Sequence, residues 1–412
     1  MSTPAEMLDA LREAIRFEPQ GERVGNLSWG RGTLDGRPVR MALVENRFAG
    51  GSIGAAEAER LGALLKVATV ERAPVILYID SAGAKVSEGL KALGAFRAVF
   101  RAALDAAGSA VPLAAVLGPN CYGGSSMLAH VAARRLFAPQ TQLAMSGPAI
   151  LAAAAGMNAL DEMFRAMAQA ALSAATRAKA SESNTVLMPG LDIAWWLRGA
   201  LAQSPDARAR HQALRVRLPA QPEPQAENVR RKDLERIYVE GYEAREAEGL
   251  IEGRGRRGGQ EESFVGLVGR KPVGAARAWR FADAVWGLAE SPPARLEVFL
   301  DCASHAARLE DERIVLSEYI AGMSQALAAA TLRGTRVGLT ILGQAGGGVY
   351  VALAAPASRV ACVYGAQIQV LPGAAVAAIL GESHESAPAF ADYQAAGVAE
   401  EELKLGIVPG GA

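Results

Sequence analysis

Short apolar runs alternate with longer stretches of helical periodicity along this chain, and the whole alternation occurs twice. In the first half, Val75-Ile76-Leu77-Tyr78-Ile79-Asp80 is a compact β-rich run closed by an acid. A small-residue loop from Ser81 to Lys85 follows. Apolar positions at Leu90, Leu93, Phe96, Val99 and Phe100 then recur with the period of a helix. A second β-rich run, Val111 to Leu117, leads into a glycine turn and a new apolar helix. In the second half the same order returns as Leu296-Glu297-Val298-Phe299-Leu300-Asp301, the loop Cys302 to Ala306, and the run Val337 to Leu342. Strand, helix and strand joined by connections of this length pair in parallel, because a hairpin needs far fewer residues.

One constant offset places Gly123 on Gly347, Gly124 on Gly348, Arg135 on Arg359 and Pro148 on Pro372, and a slightly shorter one places Asp80 on Asp301. Two unrelated βαβ units would share the element order, since such units are common, but not several landmarks at one spacing. The chain therefore reads as a duplicated α/β unit, each copy ending a third short strand near Pro148 or Pro372. Pro219 to Glu227 is proline-rich and polar, which marks a linker over 219–230 between a first domain at 1–218 and a second at 231–412. Gly253 to Gly259 sets arginines among glycines; this is an exposed loop whose charge is either a solvated face or a phosphate site.

Composition narrows the function classes. A chain of 412 residues exceeds one ordinary domain, and 43 basic residues against 43 acidic ones leave no field to attract nucleic acid or an anionic membrane. Met1 to Arg16 reads as a polar amphipathic helix without the basic start and apolar run of a signal peptide. The alanine-rich Ala149 to Ala155 is too short to span a bilayer. Cys121, Cys302 and Cys362 form no Cys-x-x-Cys pair, so a reduced cytoplasmic setting is expected, with neither zinc ribbon nor disulfide framework. His130, His211, His305 and His384 have no ligand spacing, and no metal is expected.

The chemistry concentrates at Gly118-Pro119-Asn120-Cys121-Tyr122-Gly123-Gly124-Ser125-Ser126, which leaves a strand and opens a helix. Such a turn presents unpaired N–H groups at the positive end of the helix dipole, a place suited to phosphate, carboxylate or a developing oxyanion. A glycine pair alone is equally explained by packing. Its return as Gln344-Ala345-Gly346-Gly347-Gly348-Val349 favours function, while neither segment fits the Walker or dinucleotide fingerprints. Cys121 has no adjacent histidine and reads as packing. His130 reads as a packed or bridging residue. His305, in the loop after Asp301, has the neutral-range pKa that proton transfer needs.

At these residues the chain resembles a known family. Gly32-Thr33-Leu34-Asp35-Gly36, Phe48 to Gly54, Ser81-Ala82-Gly83-Ala84-Lys85, Tyr122-Gly123-Gly124 and Ser146-Gly147-Pro148 look like the beta subunit of malonate decarboxylase, in order and at similar spacing. The second copy, from Asp301-Cys302-Ala303-Ser304 through Gly346 to Gly348, is similar to that enzyme's gamma subunit. The resemblance implies two tandem crotonase-like (ββα spiral) carboxyltransferase domains, a beta–gamma fusion. It implies loss of CO2 from a malonyl thioester to give the acetyl thioester, through an enolate held by backbone amides of Gly123, Gly124, Gly347 and Gly348. From their place in the sequence, His305 and Tyr122 are the two candidates for the group that protonates the carbanion, and His305 is set with the catalytic residues. Gly83, Ala84, Lys85, Tyr122, Gly147 and Ser304 stand at the matching substrate positions.

No cofactor is bound directly on this reading. The acyl group rides a CoA-like prosthetic arm of an acyl carrier protein subunit, with an acyl carrier protein transferase subunit as second partner. The two halves pair either within one chain or across a homodimer. The chain departs from the family at Lys85, where arginine is common and a bidentate fork is lost, and at Ala149, where glutamate usually follows Gly-Pro. Two other readings share the fold: transfer of the carboxyl group to biotin, and a non-catalytic scaffold in an acyl-carrier complex. If Gly124 supplies a catalytic amide from an exposed turn, Gly124→Val abolishes turnover and leaves the fold standing.

Overall fold

The computed structural model of the chain describes residues 3–156, 162–220, 222–371, 376 and 388–405. Pro372 and His384 lie outside the described residues.

The first sheet is built from β1 (Glu18–Pro19), β2 (Leu27–Leu34), β3 (Arg37–Val44), β4 (Val75–Ser81), β5 (Leu113–Tyr122), β6 (Arg134–Phe137), β7 (Gln142–Ala144) and β8 (Asn184–Val186). Its order is β1-β2-β3-β4-β5-β6-β8, with β7 on the far end of β5. The second sheet contains β9 (Glu227–Asn228), β10 (Tyr242–Ala247), β11 (Leu250–Arg257), β12 (Gln260–Leu267), β13 (Arg295–Leu300) and β14 (Arg336–Ile341). After β15 (Gln344–Gly346) come β16 (Arg359–Val363), β17 (Gln367–Gln369) and β18 (Glu401–Leu403). The order is β18-β16-β14-β13-β12-β11-β10-β9, with β15 and β17 paired separately.

The parallel pairing expected from the strand–helix–strand spacing is present as β3·β4·β5·β6 and β12·β13·β14·β16. The duplication also reaches further upstream than the apolar runs suggested. Each unit carries an antiparallel hairpin, β2–β3 or β11–β12, whose second strand begins the parallel set. β9 falls inside the segment 219–230 and pairs with β10.

Alternation along the strands explains the layering. Val75, Leu77 and Ile79 of β4 face one apolar cluster, while Ile76 and Tyr78 face another that holds Met7, Leu11, Trp196 and Leu197. In the second sheet Val298 and Leu300 join the first of these clusters, and Phe299 turns to Tyr238 and Phe264 on the outside. A single helical layer therefore lies between the two sheets and belongs to both. Leu90–Gly108 and Gly124–Val131 come from the first unit, Ala275–Gly287, Leu316–Leu332 and Gly347–Ala354 from the second. The units thus pair within one chain.

Polar contacts lock this layer. His130 Nε2 lies 2.9 Å from Ser317 Oγ, and burial pushes its pKa well below the usual range, so the imidazole is neutral. The bridging role read for His130 is what the structure shows. Arg97 Nε of the first unit donates to the carbonyl of Ala354 (3.1 Å), near the end of a second-unit helix. The Ala207–Arg215 helix lies on the second unit's helices, with Tyr319 Oη donating to Leu214 O (2.9 Å) and His211 stacked on Trp279. Buried Glu318 accepts from Arg217 Nη1 (2.7 Å) and faces Arg135 Nη2 at 3.8 Å. Removing one partner of a buried ion group leaves the others uncompensated, at about 3–5 kcal/mol. Glu318→Ala is expected to lower the unfolding free energy measured by urea titration by that order; an unchanged unfolding free energy contradicts the lock.

Candidate functional site

Both glycine turns are placed by the same device. At the end of β4, Asp80 Oδ1 accepts from Asn120 N (3.0 Å); at the end of β13, Asp301 Oδ1 accepts from Gln344 N (2.9 Å). Each aspartate thus holds the segment three residues ahead of a glycine. Gly123 and Gly347 both have φ +55°, a conformation L side chains rarely adopt, and each stands where the chain turns into a helix. The repeated acid that marks the two copies is a fastening for the turns.

The turns converge on one methionine. Met145, just past β7, has its sulfur 3.7 Å from Ser126 Oγ in the first turn of the Gly124–Val131 helix. A Cβ on Gly348, in the first turn of the Gly347–Ala354 helix, would stand 2.4 Å from Met145 Cε and 3.0 Å from Met127 Sδ. Two helix starts from different units therefore meet across buried thioether side chains. The first-turn N–H groups of a helix have no intrahelical acceptor, so Gly124 and Gly348 each present a donor there. Gly123 does not. Its N–H donates to Ala144 O (3.0 Å), which corrects the expectation that both glycines of the first turn supply free amides.

Gly124 has a second constraint. A Cβ there would stand 2.5 Å from Cε1 of Phe96, a buried ring with nowhere to go. Gly124→Val therefore strikes the core, and the expectation that this variant keeps its fold is corrected too.

The remaining predicted positions divide between the two sides. Gly83 lies against the first turn, 2.9 Å from Tyr122 O by its added Cβ, and Gly147 lies under the Tyr122 ring at 3.8 Å. Ala84 bridges Ile53, which ties the Phe48–Gly54 segment to the same edge. Lys85 is half-exposed and bound to Glu88 (2.9 Å), itself an acceptor for Ala55 N (2.7 Å). Tyr122 Oη donates to Gln142 Oε1 (2.5 Å), so its proton is engaged. Cys121 is fully buried and its thiol is pushed up by that burial, in keeping with a packing role. On the other side, Ser304 Oγ lies 2.9 Å from the Cβ position of Gly347 and 3.2 Å from His305 Nδ1. His305 Nε2 reaches across the units to Ser146 Oγ at 3.0 Å. Burial lowers the His305 pKa to about 4 and keeps the ring neutral.

Three contributors are not read from the sequence: Met145, Ser146 as a side chain, and Glu312. Glu312, on the short Leu309–Arg313 helix, accepts from Ser146 N (2.7 Å) and Met145 N (3.3 Å), fixing the backbone that carries the thioether. Burial pushes its pKa up to about 7 against the pull of Arg177, whose Nη2 is 3.9 Å away, and of the two amides. Glu310, Asp311 and Glu312 are consecutive acids; the fold buries Asp311 and Glu312, and of these two it is Glu312 that holds the Met145 and Ser146 amides. Among the described residues no group of three or more His, Cys, Asp or Glu is placed to hold a metal ion, and no helix is long and apolar enough to cross a membrane.

The family model for the carboxyl transferase domain matches residues 16–285, and that for the malonate decarboxylase gamma subunit matches residues 268–400. The carboxyltransferase subunit of propionyl-CoA carboxylase from Haloferax mediterranei is 38% identical over 96 residues, 23% of this chain and 18% of that protein. The 12S subunit of methylmalonyl-CoA carboxyltransferase from Propionibacterium freudenreichii subsp. shermanii is 28% identical over 145 residues, 35% of this chain and 28% of that one. The aligned stretches thus span less than a third of either relative. A solved Pseudomonas malonate decarboxylase hetero-tetramer in complex with malonate superposes on 52% of this chain and 91% of its own at 21% identity, with a TM-score of 0.45. The chain belongs to the carboxyl transferase domain family, and its residues 268–400 match the malonate decarboxylase gamma subunit.

Proposed function

We propose that the chain decarboxylates a malonyl thioester to the acetyl thioester with release of CO2, the thioester arriving on the CoA-like arm of an acyl carrier protein. The observation that carries this reading is the meeting of two helix starts, at Gly124 and Gly348, across Met145. As the C–C bond breaks, its electron pair enters the thioester carbonyl and negative charge gathers on that oxygen. Amides fixed at both helix starts need no reorganisation to receive it. Buried Met127 and Met145 give the departing carboxylate an apolar wall, which favours neutral CO2 over the anion. The match to the malonate decarboxylase gamma subunit supports the same chemistry. The partners that this reading calls for are the carrier protein and the transferase that loads it.

The match to the carboxyl transferase domain over residues 16–285 favours a second reading, transfer of the carboxyl group to biotin. The two separate in one assay: release of CO2 from malonyl-CoA without any biotin carrier supports decarboxylation, and strict dependence on the carrier supports transfer. The role of the second turn is tested by two substitutions at one position. Gly348→Ala keeps the N–H and displaces only the flexible ends of Met145 and Met127. Gly348→Pro removes the N–H at a first-turn position that tolerates proline. Loss of one oxyanion donor lowers kcat by about 100- to 1,000-fold. The proline variant is expected to fall that far below the alanine variant; equal kcat values remove Gly348 from the mechanism.

A further inference from the structure

Decarboxylation leaves an enolate that must gain a proton on carbon, and the glycine turns hold no titratable group for that step. Cys121 is buried and pushed up, and Tyr122 has its proton on Gln142. One chain of exchangeable protons does reach the turns. Ser304 Oγ lies beside Gly347, 3.2 Å from His305 Nδ1, and His305 Nε2 lies 3.0 Å from Ser146 Oγ. Ser146 follows Met145, the residue at which the two helix starts meet, and Glu312 clamps the backbone of both. The line of hydroxyl, imidazole and hydroxyl thus crosses from the second unit to the first, next to the proposed thioester.

We propose that Ser304 is the catalytic acid that protonates the enolate carbon, and that His305 and Ser146 form the relay that reloads it; this rests on the decarboxylase reading above. The C–H bond forms as the Ser304 Oγ–H bond breaks. The His305 Nδ1 proton passes to Ser304 Oγ, and the Ser146 hydroxyl proton passes to Nε2. A solvent water reprotonates Ser146, the hydroxide left behind is taken up by the released CO2 as bicarbonate, and proton exchange of the ring with water restores the Nδ1–H tautomer before the next turnover. A neutral ring is required, since an imidazolium has no lone pair with which to accept from Ser146. Burial supplies that state by holding the His305 pKa near 4. Glu312 is a positioning residue: it touches neither the relay protons nor substrate, and it fixes the Ser146 main chain.

The relay runs in reverse on product, so the test is uptake of deuterium from D2O into the methyl group of acetyl-CoA, read by mass spectrometry beside CO2 release from malonyl-CoA. General acid–base groups contribute about 100- to 10,000-fold. Wild-type enzyme is expected to exchange the methyl protons, while Ser304→Ala and His305→Gln lose at least about 100-fold of that rate with KM for malonyl-CoA little changed. Ser304→Thr, which keeps a hydroxyl, is expected to recover exchange, an outcome that mere loss of structure at the turn does not give. Wild-type CO2 release together with undiminished exchange in Ser304→Ala and His305→Gln overturns the relay alone. A wild-type protein inert in both assays overturns the decarboxylase reading and the relay with it.

Discussion

Two helix starts carry like partial charges, on the order of half a positive charge each, and the rest of the structure is arranged to keep two of them together. Left to themselves they repel, so the Gly124 and Gly348 ends need a scaffold that overrides the repulsion until an anion arrives. Part of that scaffold is the apolar layer shared by both sheets, where Phe96, Met127, Tyr319 and Val349 belong to one cluster. The other part is a set of fastenings at each turn: Asp80 on Asn120, Asp301 on Gln344, and Glu312 on Met145 and Ser146. A site made of main-chain dipoles is only as good as the backbone that carries it. Here that backbone is held from both units.

This arrangement explains why the duplication is useful. A single unit offers one glycine turn, and a carbonyl oxygen held from one side gains one fixed donor. A second copy folded against the first offers another turn, together with a different surrounding. Phe96 packs under the first turn, and Ser304 with His305 lies beside the second. On the proposed mechanism the copies divide the labour, with charge stabilisation common to both and proton delivery carried by the second unit with help from Ser146 of the first.

Much of the architecture was legible because apolar periodicity reports burial directly. The runs at Val75 to Asp80 and Leu296 to Asp301, the helix after Lys85 and the parallel pairing all follow from it. Ends of elements were less so. Gly118-Pro119 punctuates the sequence like a turn, yet β5 continues to Tyr122 because Asp80 and β7 supply partners for that stretch. In the second copy the corresponding stretch breaks at Gly343, giving β14 and a separate β15. The glycine turns and His305 were visible as residue types in a telling place. Glu312 and Met145 were not, since their importance comes from contacts across the two units. The amide of Gly123 shows the converse limit, for nothing in the sequence reveals that it is already bonded to Ala144.

The most direct measurement is a crystal structure of the chain with a non-hydrolysable malonyl thioester analogue. The account predicts the thioester oxygen within about 2.7–3.1 Å of the main-chain nitrogens of both Gly124 and Gly348, with Met145 displaced or packed alongside. An analogue bound elsewhere, or one whose oxygen touches a single turn while the other remains covered by Met145, contradicts it.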